Sequence, residues 1–247
     1  MKTLIHRIIA KQNFFPGPLA LLINPFYFAR KGLYQNVNIL SHFITGKILD
    51  AGCGQKPYRS LFRYNQYIGM DIEQSGHNHA NENIDVFYDG HTFPFENETF
   101  DSVLSNEVLE HVFNPGEHLS EIHRVLRPNG FLLLTVPFLW DEHEQPYDYA
   151  RYSSFGLKYL LENHGFEIVI HKKSMADVRA IFQLFNAYIF KKTQKWRKRY
   201  LGLFLTLVLN APINIIGSLL GFLLPSNPDL YLDNIVLARK RGKIAHD

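Results

Sequence analysis

Three acids fall where short apolar runs stop. Asp50 follows Lys47-Ile48-Leu49, Asp71 closes Tyr67-Ile68-Gly69-Met70, and Asp89 follows Val86-Phe87-Tyr88. An acid at the end of a buried strand is an acceptor held on a rigid edge. Ala51-Gly52-Cys53-Gly54 comes directly after the first acid, and its two glycines permit a turn in which backbone approaches a ligand closely. Asp71 lies about twenty residues beyond Asp50, where a carboxylate can accept hydrogen bonds from both hydroxyls of a ribose. Asp89 stands where it could receive the exocyclic amine of an adenine. Any one of these acids reads equally well as a helix cap or a solvated turn residue. Three in succession, at consistent spacing, point instead to a nucleotide-like ligand.

The elements that must hold these residues are legible around them. Strands are expected at 47–49, 67–72, 86–88, 100–106, 131–136, 166–170 and 234–238 from their short apolar runs between turn residues. Phe131 to Val136 is apolar throughout, apart from Thr135, as a strand covered on both faces should be. Asn114-Pro115 reads as a helix start with Asn114 as its cap, and Pro128-Asn129-Gly130 as that helix's end. Ser153 or Ser154 caps a further helix that stops at Gly165. Alternating strands and helices with acids at strand ends describe a doubly wound α/β sheet.

At 247 residues the chain suits one α/β domain with insertions, and its net charge of +3 does not argue for nucleic acid. A single cysteine, Cys53, excludes an internal disulfide and suits a reducing compartment. The first residues begin like a signal peptide, but Lys11, Pro16 and Pro18 interrupt the apolar run, so no cleaved signal is expected and the location is cytoplasmic.

The segments ILDAGCG (48–54), YIGMDI (67–72), DG-x3-PF (89–95), FDSVLSNEVLEHV (100–112) and EIHRVLRPNGFLLLTVPF (121–138) together resemble class I S-adenosylmethionine-dependent methyltransferases of the small-molecule type. The resemblance covers about residues 46–171 and the final strand. It implies a Rossmann-like, seven-stranded fold with S-adenosyl-L-methionine as cofactor. The methionine end would lie over Asp50, Ala51, Gly52, Cys53 and Gly54. Asp71 and Ile72 would hold the ribose, Asp89 and Gly90 would sit near the adenine, and Asn106 and Glu107 would line the methionine side. Lys56 stands where the family usually has a third glycine, which puts the role of Lys56 in question. The missing glycine and the EVLEH segment argue against a dinucleotide dehydrogenase.

Methyl transfer is an in-line displacement at a sulfonium-bound carbon, so positioning is much of its catalysis. A hydroxyl acceptor must also lose a proton. In the polar segment 140–152, His143 is the expected base, with Asp141 or Glu144 to orient it. Tyr147 and Arg151 are expected to bind the acceptor, and His111 to line the cleft. No spacing in the segment dictates coordination geometry, so no metal site is expected.

Residues 1–45 read as an N-terminal helical cap. Residues 172–232 form an insertion with a basic run, Lys191, Lys192, Lys195, Arg197, Lys198 and Arg199, followed by an uncharged stretch from Tyr200 to Pro228. Asn210, Pro212 and Asn214 split that stretch into 201–209 and 213–224. As helices these are about 14–18 Å long, too short for the roughly 30 Å of hydrocarbon. With the last strand returning to the sheet, a single span is excluded on this reading. An interfacial helical hairpin or a protein interface remains, with peripheral membrane contact through 191–228 preferred. The chain also resembles methyltransferases of bacterial surface-glycan biosynthesis, and that resemblance implies O-methylation of a lipid-linked sugar or other amphipathic acceptor, expected here at the inner face of the membrane. Two alternatives stand beside it, a soluble small-molecule or quinone-like O- or N-methyltransferase and a non-catalytic membrane-bound scaffold.

Overall fold

The structure, a computed structural model, describes residues 2–73, 83–198 and 200–242; of residues 2–6 and 200 it describes the backbone only. Arg199 of the basic run lies outside the described residues. The chain divides into two compact units, one of residues 1–35, 139–141 and 173–233, the other of 36–138, 142–172 and 234–247. The N-terminal helices and the insertion, read separately in the sequence, thus share one unit.

The second unit holds a seven-stranded sheet. Its strands are β1 (Thr45–Ala51), β2 (Arg63–Ile72), β3 (Val86–Tyr88), β4 (Phe100–Asn106), β5 (Leu126–Pro137), β6 (Phe166–Lys173) and β7 (Asp233–Lys240). Their order is β3-β2-β1-β4-β5-β7-β6. The pairs β1–β2, β1–β4, β2–β3 and β4–β5 are parallel. The chain therefore winds outward from β1 in both directions, the arrangement in which open α/β sheets bind ligands at the carboxyl ends where the winding reverses. Leu49, Met70, Val103, Leu132, Leu134 and Val136 are fully buried in the core of this sheet.

Local chemistry sets most boundaries. Helix α4 (Pro115–Val125) starts at a proline whose missing N–H costs nothing there, although the Asn114 side chain makes no cap hydrogen bond. It ends before Leu126, and β5 already includes Pro128, Asn129 and Gly130, so these residues do not terminate the helix as expected. The reason is a register shift in the β4–β5 pairing between Phe100 and Ser102, which absorbs the irregular stretch. Helix α5 (Ser154–Asn163) is capped as expected, the Gly156 N–H donating to Ser153 Oγ at 3.2 Å. Gly165 follows it at φ +82°.

The first unit contains α1 (Lys2–Phe14), α2 (Ala20–Ile23), most of α3 (Tyr27–Leu40), α6 (Arg179–Thr193), α7 (Tyr200–Leu205) and α8 (Ala211–Leu223). Tyr27, Phe28, Met175, Ala180 and Leu232 form its buried cluster. The expected break at 210–214 is absent: residues Leu201–Leu223 form one continuous helix of 23 residues. Pro212 lacks an N–H and crowds the carbonyl four residues back, which would kink an α-helix. Here Thr206–Asn210 is wound as a π turn, which takes up the extra residue and lets the axis continue. At 1.5 Å per residue the helix is about 34 Å long, so the argument from two short halves falls. By length and composition alone this helix could cross a membrane, with 28% of its most apolar window buried.

Its inner face is polar and fully engaged. Asn210 Nδ2 donates to Asn186 Oδ1 at 3.0 Å, and Asn186 Nδ2 donates to Asn214 Oδ1 at 2.8 Å. Asn214 Nδ2 in turn reaches the Leu21 and Asn24 carbonyls at 2.9 and 3.0 Å. Arg197, assigned above to a basic run, joins this ladder through Thr193, Thr206 and Asn210, each at 2.8 Å. Buried amides that bond to a neighbouring helix have no reason to end their own. The ladder fixes α6 and the long helix as an antiparallel hairpin.

Candidate active site

The strand ends bring the predicted cofactor residues to one edge. Asp50 pairs in register with Gly69 of β2 and Leu104 of β4, and Asp71 with Phe87 of β3. Asp50, Asp71, Asp89, Asn106 and Glu107 thus all close or follow strands at the carboxyl side of the parallel pairs. Ala51 is buried, and the Gly52 and Cys53 N–H groups both donate to the Met70 carbonyl, at 2.8 and 3.1 Å. Gly52 has φ +79° and Gly54 φ +43°. A Cβ at Gly52 would stand 2.3 Å from Val108 Cγ2, so that glycine is required by packing as well as by its backbone angle.

The acids divide the work. Asp71 Oδ2 accepts from the Gly54 N–H at 2.9 Å and Oδ1 from the Ile72 N–H at 2.9 Å, so this carboxylate braces the glycine turn. Asp50 is 3% exposed and accepts the Tyr67 hydroxyl at 2.6 Å. Burial pushes the Asp50 carboxyl up to about 7 despite that bond, with Asp71 adding to the rise. Asp89 is exposed; its Oδ1 takes the His91 and Thr92 N–H groups at 2.8 and 3.0 Å, which hold its carboxyl below the ordinary value. Gly90, at φ +86°, has open space beside it. Burial raises the Cys53 thiol, with Asp50 and Asp71 adding to it, so the side chain is neutral packing rather than a nucleophile. Asn106 Oδ1 accepts from Thr135 Oγ1 at 3.1 Å, and the Glu107 N–H donates to the same residue's carbonyl.

The question of Lys56 has a structural answer. At φ 51° this residue takes the backbone conformation a glycine would take. Its side chain, 3% exposed, runs across Gly69 to a 2.5 Å ion pair with Asp85. Asp85 Oδ2 also accepts the Gly69 N–H at 2.7 Å. Lys56 therefore closes the turn onto β2. Asp85 and Tyr67 are neighbours of this edge that local spacing does not reveal, because their partners Lys56 and Asp50 lie far away in sequence.

On the acceptor side the structure changes the expected pairing. Asp141 is engaged by Lys191 at 2.8 Å, in the other unit from His143. The carboxylate beside His143 is Asp148, whose Oδ2 lies 3.2 Å from His143 Nδ1 and accepts the His143 backbone N–H at 2.8 Å. Arg151, expected to bind acceptor, grips both oxygens of Asp148 at 2.6 and 2.7 Å. Burial alone would raise the Asp148 carboxyl, but these hydrogen bonds outweigh it and hold it at about 2. Burial and the nearby His111 keep His143 below the ordinary histidine value, hence neutral at neutral pH. Tyr147 contributes its carbonyl, which lies 2.7 Å from His111 Nδ1. His111 packs edge-on to His143 with ring centroids 4.7 Å apart. Glu110, expected with the rest of 107–112 to line the cofactor cleft, is fully buried in the same group.

Residues 49–134 match the family described as methyltransferase domain. A Mycolicibacterium smegmatis protein described as a probable S-adenosylmethionine-dependent methyltransferase is 27% identical over 159 residues, 57% of this chain and 62% of that one. The Mycobacterium ulcerans phthiotriol/phenolphthiotriol dimycocerosates methyltransferase 1 is 33% identical over 103 residues, 37% of this chain and 38% of its own. The chain spans less than two thirds of the length of the curated relatives it matches. Among solved structures, Haemonchus contortus phosphoethanolamine N-methyltransferase 2 in complex with S-adenosyl-L-methionine superposes with a TM-score of 0.52 at 20% identity, over 95% of this chain and 56% of that one. The likeness to this structure establishes the fold.

Proposed function

This chain carries a class I S-adenosylmethionine-dependent methyltransferase domain, and from that premise we propose that it transfers the cofactor's methyl group to a hydroxyl of an amphipathic acceptor, a lipid-linked sugar, at the cytoplasmic face of the membrane. The observation that carries the acceptor class is the outer face of the long helix. Phe204, Val208, Leu219 and Leu223 are 52–63% exposed there and Phe222 is 85% exposed. Such a surface is costly in water and suits the headgroup–acyl boundary. Lys192, Lys195 and Lys198 are exposed near its beginning, where an anionic leaflet would attract them. A lipid-linked acceptor presents its reacting hydroxyl at the same boundary. Tyr147 remains the proposed acceptor contact, and the cluster built on His143 is the proposed means of removing the hydroxyl proton.

Incubation with S-adenosylmethionine and a membrane glycolipid extract should yield a glycolipid heavier by one methylene, read by mass spectrometry. Transfer only to water-soluble phenols or amines would replace this acceptor class. Cofactor binding without turnover on any acceptor would leave a scaffold.

Two cofactor-side results are expected. Asp71→Ala removes a charged acceptor, and S-adenosylmethionine affinity should fall by about 1–3 kcal/mol, roughly 5- to 150-fold. Unchanged affinity by calorimetry would end the ribose assignment. The second result concerns protons. Asp50 is raised, so in the free protein it is protonated below about 7 and its burial increasingly lowers stability as pH rises toward 7. A cofactor ammonium group over Gly52–Gly54 favours the carboxylate. Binding should therefore release a proton, and affinity should rise from about pH 5 to about pH 7 and level off above. Calorimetry in buffers of different ionisation enthalpy near pH 6 reads this directly, and no proton release would sink the idea.

A further inference from the structure

We infer that Lys56 is a positioning residue of the cofactor site: it clamps the glycine turn to β2 and β3 and supplies a fixed positive charge on the face of the sheet where Asp50 lies. This role rests on the proposed cofactor assignment. All the residues concerned belong to the same compact unit.

The clamp is the first reason. Lys56 Nζ meets Asp85 Oδ2 at 2.5 Å, and the lysine side chain is nearly enclosed. Asp85 is itself tied twice to Gly69, donating its N–H to the Gly69 carbonyl at 2.9 Å and accepting the Gly69 N–H at 2.7 Å. Asp85 directly precedes β3, so one ion pair joins the turn after β1, the middle of β2 and the entry to β3. The Lys56 N–H also closes the turn by donating to the Cys53 carbonyl at 2.7 Å. Room for the side chain exists because residue 69 is a glycine. A Cβ there would stand 2.0 Å from Lys56 Cε and 2.7 Å from Cys53 Sγ. The lysine at 56 and the glycine at 69 are thus two halves of one packing solution.

The second reason is where this leaves the charge. Gly69 is the register partner of Asp50, so the two point to the same face of the sheet. Tyr67 and Asp71 flank Gly69 at alternate positions of β2 and share that face. The Tyr67 hydroxyl accordingly reaches Asp50 Oδ2 at 2.6 Å. Asp50 is therefore faced by Tyr67 and Asp71 from β2, by Lys56 and Cys53 from the turn, and by Asp85 from the approach to β3. Its β4 partner, Leu104, is uncharged. Lys56 is the one cation in this group. Burial is the largest influence on the Asp50 carboxyl and raises it; Asp71 and Asp85 add to the rise, and Lys56 opposes it.

A buried carboxyl meets an ammonium group well only when it is ionised, and a neighbouring cation favours that form. Lys56 keeps Asp50 ionisable near neutral pH, while Asp85 holds the cation in place. Shape and charge of the turn are then set together before a ligand arrives.

The test is calorimetry of S-adenosylmethionine binding to the full chain from about pH 5 to about pH 9. Lys56→Met keeps the bulk of the side chain and removes its charge. Its affinity should be roughly 10-fold lower between about pH 6 and about pH 7, and should still climb where the parent's has levelled off. Asp85→Asn keeps the cation and removes an acid, so its curve should move to lower pH, with a lower plateau from the loosened clamp. Lost packing alone would weaken both variants at every pH and displace neither curve. Lys56→Arg retains the charge and should stay nearest the parent curve. Carboxyl-labelled aspartate NMR on the ligand-free chain reads Asp50 directly and should show the same two opposite displacements. An unmoved curve in Lys56→Met, or parallel losses in both variants, overturns the role. No S-adenosylmethionine binding by the parent at any pH, with the Asp50 signal still moving as stated, would instead sink the cofactor assignment and leave the charge relation standing.

Discussion

Replacing His143 with alanine should lower methyl transfer by roughly 10²–10⁴-fold while S-adenosylmethionine affinity stays unchanged. The expectation follows from the separation between the residues proposed to hold the cofactor and those proposed to prepare the acceptor. The proposed cofactor end is built from β1, β2 and β3, and the turn after β1 is braced by Asp71 and Lys56. His143 belongs to the segment after β5 and is fixed by Asp148, itself gripped by Arg151. Asp148→Asn should reproduce part of the loss, because it weakens the acceptor that orients the ring. Near-normal turnover of His143→Ala from about pH 6 to about pH 9 would reduce the 140–152 segment to a closing loop.

Vesicle flotation should give the second large effect. The intact chain is expected to float with anionic vesicles and less well with neutral ones. Leu219→Glu combined with Phe222→Glu removes two large apolar side chains from the exposed face, each worth about 1.5–3 kcal/mol when buried. The pair therefore contributes about 3–6 kcal/mol, or two to four decades in partitioning. Both residues are more than half exposed, so the folded state should tolerate the change. If the parent ignores both kinds of vesicle and instead forms a dimer that these substitutions abolish, the face is a protein interface and the membrane assignment is wrong. Because the long helix can span by length, protease protection of Lys191 and Lys195 on sealed vesicles is a useful companion measurement. Its outcome distinguishes a hairpin lying in one leaflet from one that crosses.

The two halves of the candidate site differed in how much local spacing revealed. The proposed cofactor edge was legible because it is made from short apolar runs, two glycines and acids at strand ends, and the parallel register simply lines these up. Ser153 at the start of α5 was legible for the same reason, since a cap and its partner are three residues apart. On the acceptor side Asp141, Glu144 and Asp148 all lie close to His143 in sequence. Only the backbone path decides which carboxylate meets the ring, and it turns Asp141 toward Lys191 instead. Glu110 and His143 are brought together by the return of the chain after β5, where the Tyr149 and Ala150 N–H groups both bind the Glu110 carbonyl.

The long helix shows the limit most clearly. Asn210, Pro212 and Asn214 read as a break because, in isolation, asparagine competes for backbone hydrogen bonds and proline removes one. In the folded chain Asn186 and the Leu21 and Asn24 carbonyls satisfy those amides, and a π turn relieves the proline. What the sequence determined by itself was therefore the α/β class, the methyltransferase fold and the strand ends that carry Asp50, Asp71 and Asp89, since periodicity, turns and caps act within a few residues. Only the tertiary structure decided which carboxylate serves His143, what Lys56 does, and whether residues 201–223 form one helix. Each of those depends on the free energy of burying a polar group beside a partner distant in sequence, which local spacing does not encode.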